Sequence, residues 1–451
     1  MYVAKAPAEA DLLEDGRLLK ALSAPRDPRE VEAYLHWDKL HRLKPPDGLT
    51  AEDWWLKVKF ERRSDLRPLP LLDSDNDSPV YSGGRPFVYA LPDSVLRSLH
   101  RIDQRCAGEV AMDDIVTSDG QARDRYLVNS LTEEAIRSSQ LEGATTSREA
   151  ARELLRSGRK PRDRSEQMIY NNYRALQFMR SEMDAPLAPE MILDLHRILT
   201  EGTLDDPNAA GRLQTTYEER VAVYDRDDGR KVHKPPHPDS LPERMRALCD
   251  FANQDDESEP FVHPVVRAIL LHFWLAYDHP FVDGNGRTAR ILFFWLMRKH
   301  RYWLVEYLPI SRILQQAPAK YGRAFLETET DEGDTTYFLI HQLQVIERAI
   351  DELHLYLARK AREIGEVEEL LHGAGSFNRR QLSLLSDALR HPDRSYSFSG
   401  HAADNRVTHE TARADLSRLA DRRLLVRRKA GREFIFEPAP DLPTRLKESP
   451  A

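Results

Sequence analysis

Apolar positions recur at helical spacing through most of the chain, interrupted by short breaks rich in proline or glycine. Residues 128–141 fit an amphipathic helix, and Gly143 just beyond supplies the residue type that accepts a left-handed helix end. Ser147 caps a new start, and residues 168–183 and 189–199 continue the helical pattern. Residues 211–240 break it. Tyr224-Asp225-Arg226-Asp227-Asp228-Gly229 reads as a hairpin turn, and Pro235-Pro236-His237-Pro238 excludes a helix. Helix resumes over 241–253, then over Pro264–Asp278, with Pro264 suited to a first turn. Residues 288–299 are apolar on nearly every side, which predicts a buried helix. The expected fold is mainly α: an all-helical core carrying one β-hairpin flap.

Both ends differ from this middle. Residues 1–95 are rich in proline and charge, with Trp37, Trp54 and Trp55, and 68–86 read as loop or short strands. After helical residues 335–371, Gly373-Ala374-Gly375 marks a boundary. A helix carrying Ala412, Leu416, Leu419 and Ala420 on one face precedes two short strands, the order of a small C-terminal winged helix-turn-helix domain. The expected divisions are 1–95, a core over 96–370, a winged-helix domain over 371–438 and a loose tail over 439–451.

Composition narrows the class. With 451 residues, 41% of them apolar, the chain has material for two or three cores. A net charge of -8 argues against general nucleic-acid coating. Residues 404–432 oppose that trend with nine basic residues (Arg406, Arg413, Arg418, Arg422, Arg423, Arg427, Arg428, Lys429, Arg432) against four acids. DNA and a docking or dimerisation partner are the two ligand classes for that segment. Cys106 and Cys249 lie far apart without metal-ligand spacing, which fits a reducing compartment. The opening residues lack the apolar run of a signal peptide, and no stretch approaches 18 uninterrupted apolar residues, so a cytoplasmic protein without membrane contact is expected.

The chemistry concentrates at His279-Pro280-Phe281-Val282-Asp283-Gly284-Asn285-Gly286-Arg287-Thr288-Ala289-Arg290. A loop between two buried helices would aim the backbone N–H groups of Gly284, Asn285 and Gly286 at an anion before the second helix. Arg287 and Arg290, three apart, share one helix face and suit a polyphosphate. Asp283 is placed to hold Mg²⁺ on those phosphates, since that ion takes one or two carboxylates plus phosphate oxygens. His279 has the ordinary pKa of a base near neutrality, about 6.5.

This string resembles the signature of the Fic family, HxFx(D/E)GNGRxxR, at every specified position, and the resemblance covers roughly residues 96–350. It implies an all-helical Fic core that moves AMP from ATP to a Ser, Thr or Tyr hydroxyl of a target protein. His279 would deprotonate that hydroxyl, Asp283 would bind Mg²⁺, and Gly284, Asn285, Gly286, Arg287, Thr288 and Ala289 would line the nucleotide. Phe281 would anchor the loop, and Arg290 would grip the terminal phosphate. Ser138-Ser139-Gln140-Leu141-Glu142-Gly143 is similar to the family's inhibitory motif, which implies that Ser138 and Glu142 restrain Arg290. Lys231, Val232 and His233 occupy flap positions bordering the nucleotide, and Tyr321 stands where relatives place an adenine-side tyrosine. Relatives are often dimers, which implies a homodimer here. Two alternatives remain: removal of AMP at the same site, and a DNA-binding regulator whose core senses nucleotide.

Overall fold

The computed structural model describes residues 3–448 apart from 14–15, 74–83, 107–119, 220–222, 225–230, 256, 373–376, 392, 406 and 431–432. It comprises two compact units, Met1–Leu353 and His354–Ala451. Among the described residues, no helix is long and apolar enough to cross a membrane.

The first unit opens with short helices at Glu9–Leu12, Arg17–Ser23, Pro28–Glu32 and Trp37–Leu40, followed by α1 (Ala51–Arg62). A capping box starts α1: Thr50 Oγ1 accepts the Asp53 N–H, and the Asp53 carboxylate accepts the Thr50 N–H, both at 3.1 Å. Trp54 and Trp55, both fully buried, form a local core with Leu12, Leu40 and Leu56. Strands β1 (Arg67–Asp73) and β2 (Arg85–Tyr89) then pair antiparallel. Residues 1–95 are therefore integral to the first unit, not a separate domain.

The helices that follow are α2 (Asp93–Cys106), α3 (Gly120–Leu141), α4 (Arg148–Ser157), α5 (Arg164–Ser181) and α6 (Pro189–Thr200). The hairpin appears as β3 (Val223–Tyr224) and β4 (Lys231–His233), Val223 opposite His233, while its turn lies outside the described residues. Next come α7 (Leu241–Ala252), α8 (Pro264–Asp278), α9 (Asn285–Lys299), α10 (Ile310–Gln316), α11 (Pro318–Thr330) and α12 (Thr336–His372).

Helices α8 and α9 form the centre. All of α8 is buried except Pro264 and Ala276, as its all-round apolar pattern requires. Its charged members are paired. Arg267 donates to the carbonyls of Gln254, Asp255 and Val262, and Asp278 accepts from Arg244 at 2.7 Å and from Trp274 Nε1 at 3.0 Å. Helix α12 ends at His372, next to the glycine-rich boundary at 373–375. The units divide at Leu353 instead, because Phe338, Leu343, Ile346, Ile350 and Leu353 are buried along its first half.

In the second unit, α13 (Arg379–Arg390), β5 (Tyr396–Ser397), α14 (Phe398–Asn405) and α15 (His409–Asp421) precede β6 (Leu425–Ala430) and β7 (Glu433–Pro438). The three strands form one antiparallel sheet in the order β5-β7-β6. Leu385, Leu416, Leu419, Leu424 and Phe436 make its core. The expected loose tail is corrected here. Residues Leu442–Glu448 form helix α16, and Leu442 and Leu446, one turn apart, complete that core. Arg406, Gly431 and Arg432 lie outside the described residues.

Candidate functional site

The corner between α8 and α9 begins at His279, which caps α8 in the left-handed conformation, φ 45° and ψ 53°. That conformation costs a non-glycine residue about 1–2 kcal/mol. Its surroundings impose it. Asp278 is locked by Arg244 and Trp274, and the Pro280 carbonyl accepts the Gln214 N–H at 2.9 Å. His279 itself is half-buried, so its ring stays accessible at the corner.

The rest of the loop is held by its own side chains. Asn285, fully enclosed, clasps Phe281 from both sides: its Oδ1 accepts the Phe281 N–H at 2.9 Å, and its Nδ2 donates to the Phe281 carbonyl at 2.8 Å. Thr288 is also buried, its hydroxyl donating to the Gly284 carbonyl at 2.9 Å, and Ala289 is buried in the core. A tight turn between buried helices thus uses the Asn285 and Thr288 side chains to satisfy its own backbone. Gly284 is required for the same reason. Its φ is 86°, and a Cβ there would lie 3.0 Å from Thr200 Cγ2. Arg287 lies beneath the loop, fully buried, donating to the Leu199 carbonyl at 3.1 Å and standing 3.5 Å from Asp283.

His196 was missed. Its ring stacks on Phe281 with centroids 3.8 Å apart, its Nδ1 accepts the Gly211 N–H at 2.9 Å, and its Nε2 lies 2.9 Å from the Asp283 carbonyl. With Nδ1 accepting, Nε2 carries the proton and donates to Asp283, which fixes the neutral tautomer. Burial pushes its pKa down to about 4. The available signal was a polar residue on the buried face of α6, among Ile192, Leu195 and Leu199.

Helix α3 closes the other side. Glu142 follows its last turn, with Gly143 beyond it at φ 102°. The Glu142 carboxylate meets Arg290 Nη2 at 2.8 Å. Arg290 also donates through Nε to Ser138 Oγ at 2.9 Å and through Nη2 to the Ser138 carbonyl at 3.0 Å. Its Nη1 is buried without a hydrogen-bond partner among the described residues and faces Gly286, whose ideal Cβ position lies 3.0 Å away. A side chain at 286 would also collide with the Glu142 carboxylate, so Gly286 leaves the room in which Glu142 seats. Burial works against the Arg290 charge, yet Glu142, Tyr321 and Glu134 around it hold its pKa raised.

Tyr321 is held on several sides. Its ring packs among His272, Phe325, Phe338 and His341, and its hydroxyl meets His272 Nε2 at 2.7 Å beside Arg290. His233 is likewise committed, with Nδ1 on the Glu329 carboxylate at 2.9 Å and Nε2 on the Tyr277 carbonyl at 2.7 Å. It anchors β4 to the site. The side chains of Lys231 and Val232 lie outside the described residues.

Among the described residues, no group of three metal-ligating side chains occurs. Asp283 is 42% exposed and stands 3.5 Å from Arg287 and 3.8 Å from Arg164. A single accessible carboxylate fits Mg²⁺ that takes its other oxygens from phosphates and water.

The depressed pKa of His196 sets a pH dependence. The folded ring stays neutral while the unfolded one protonates below about 6.5, so its contribution is complete above that pH and is lost as pH falls towards about 4. His196→Phe keeps a stacking ring but leaves the Gly211 N–H and the Asp283 carbonyl unpaired. Urea unfolding should show this variant less stable by about 1–3 kcal/mol at pH 7.5. The gap to wild type should close between pH 6.5 and 4; a gap independent of pH would contradict a buried ring that stays neutral.

A Fic/DOC family model matches residues 186–297. Protein adenylyltransferase fic-1 of Caenorhabditis elegans is 33% identical over 168 residues, covering 35% of this chain and 30% of that protein. Protein adenylyltransferase Fic of Nematostella vectensis is 39% identical over 101 residues, covering 22% and 20% respectively. The chain thus spans under a third of the length of these curated relatives. Among solved structures, a Fic family protein from Desulfovibrio desulfuricans G20 has a similar fold, with a TM-score of 0.51 at 17% identity over 76% of this chain and 94% of that one. Residues 186–297, the stretch that the Fic/DOC family model matches, hold the whole 279–290 loop.

Proposed function

We propose that this chain is a protein adenylyltransferase that moves AMP from ATP to a Ser, Thr or Tyr hydroxyl of a target protein, and that Glu142 holds it in check. The observation carrying this reading is the Glu142 carboxylate seated on Arg290 at 2.8 Å, directly beside the loop that begins at His279. The names of the relatives, protein adenylyltransferases, support the same activity.

In the proposed reaction, His279 takes the proton of the target hydroxyl as its oxygen bonds to the α-phosphorus. The bond from that phosphorus to the bridging oxygen breaks, and pyrophosphate leaves. The first backbone N–H groups of α9 stand at the positive end of its dipole and favour the phosphates. Arg290, through its unsatisfied Nη1, would hold the terminal phosphate. Asp283 would hold Mg²⁺, which when bound neutralises phosphate charge. Glu142 competes for Arg290 with the same charge that a γ-phosphate brings, so ATP binds in a non-productive pose until α3 yields.

For the second unit, the element order α13-β5-α14-α15-β6-β7 supports a winged helix. The exposed Arg413 and Arg418 on α15 and Arg427, Arg428 and Lys429 on β6 favour a phosphate-bearing partner for it.

Glu142→Gly should raise AMP labelling of lysate proteins from α-labelled ATP about ten- to hundredfold, the weight of one hydrogen bond between charged groups, about 1.5–3 kcal/mol. Label should not transfer from γ-labelled ATP, and His279→Ala should abolish the signal in the same background. Unchanged labelling on Glu142→Gly would remove the inhibitory role, and transfer of the γ label would replace AMP transfer by phosphate transfer.

A further inference from the structure

Helix α11 touches the candidate site at two separate places and is gripped from outside by the N-terminal region. Near its start, Tyr321 meets His272 Nε2 at 2.7 Å beside Arg290. The same hydroxyl lies beside the Arg290 charge, which its oxygen stabilises. Near its end, two turns on, Glu329 accepts from His233 Nδ1 at 2.9 Å. The other ring nitrogen of His233 faces the Tyr277 carbonyl at 2.7 Å, two residues before His279. One rigid helix therefore backs the phosphate arginine and pins the flap strand.

The grip comes from residues 4–62. Asp38, fully enclosed, accepts from Arg323 Nη2 at 2.6 Å while also accepting the Ala4 N–H at 3.0 Å. The Ala6 N–H donates to the Thr330 carbonyl at 2.9 Å, closing the end of α11. His36 takes the Asp38 N–H on Nδ1 at 3.0 Å, so its Nε2 carries the proton offered to Thr330 Oγ1 at 3.2 Å. Just past the helix, Lys59 pairs with Asp331 at 2.9 Å, and the Tyr34 hydroxyl donates to Asp334 at 2.6 Å. Asp38 also pairs with Arg42 at 2.8 Å and Arg323 with Glu327 at 2.8 Å, so the Asp38–Arg323 bond joins two charge pairs, and a shifted helix would lose the bond that links them.

We propose that the N-terminal region is a positioning brace: by fixing α11 through Asp38–Arg323, it sets the pose of Arg290 through Tyr321 and the pose of the flap through Glu329 together. Tyr321, Glu329 and Arg323 are thus positioning residues. The proposal rests on the nucleotide-site reading above, and its test reads ATP binding and backbone exchange, so it stands or falls apart from AMP transfer.

The test uses the full chain in a Glu142→Gly background, with ATP affinity from calorimetry and amide exchange of residues 231–233 from mass spectrometry. Tyr321→Phe should weaken ATP about fivefold to tenfold, the weight of one hydrogen bond, and leave flap exchange unchanged. Glu329→Gln should speed flap exchange by a similar factor and leave ATP affinity unchanged. Arg323→Met should move both readings, and Arg323→Lys, which keeps a cation for Asp38, should recover part of both. A lower Tm for Arg323→Met with neither reading changed would overturn the brace. If Arg323→Met does not fold, Arg323→Lys decides: intermediate shifts in both readings support the proposal, and a shift in one alone contradicts it.

Discussion

Arg290 is a guanidinium taken almost wholly out of water, at 2% side-chain exposure, and a buried cation requires partners wherever the chain can supply them. Ser138 supplies two acceptors at the end of α3, Glu142 supplies the counter-charge, and Tyr321 stands behind. Meeting that requirement sets the end of α3 against the first turns of α9. In the proposed reading the same requirement would supply the brake, the carboxylate that satisfies Arg290 within the protein competing with a phosphate for it.

The loop divides its labour sharply. Asn285, Thr288 and Phe281 spend their polar groups and ring on the loop itself, with His196 reaching across from α6 to hold Asp283 by its carbonyl. This frees the groups at the rim. His279 is held in a strained left-handed cap, Asp283 keeps an accessible carboxylate, and Arg290 Nη1 has no hydrogen-bond partner among the described residues. A site preorganised in this way need not reorganise its own hydrogen bonds when charge develops on a substrate.

Much of this was legible in the chain. The α8 and α9 periods, the hairpin, and the pairing of Glu142 with Arg290 all follow from local pattern or from a long, specific motif. What failed had a common physical cause. Spacing places Asn285 and Thr288 in a phosphate-type loop, but it does not show that their side chains tie that loop to itself. His196 lies 87 residues from the Asp283 carbonyl it supports, and no local pattern links them. The N-terminal region was opaque for the same reason: Asp38 and Arg323 are 285 residues apart. Leu442 and Leu446 give no helix signal of their own, since two apolar residues are too few to mark one without the core they complete.

The central claim is that Glu142 and a γ-phosphate compete for Arg290, and the selectivity between ATP and ADP tests it directly. Calorimetry on the wild-type chain should give Kd values for ATP and ADP within about twofold of each other, because the group that distinguishes them finds its arginine taken. On Glu142→Gly, ATP should tighten by about tenfold or more while ADP stays within about twofold. Equal tightening of both nucleotides, or of neither, would contradict the account.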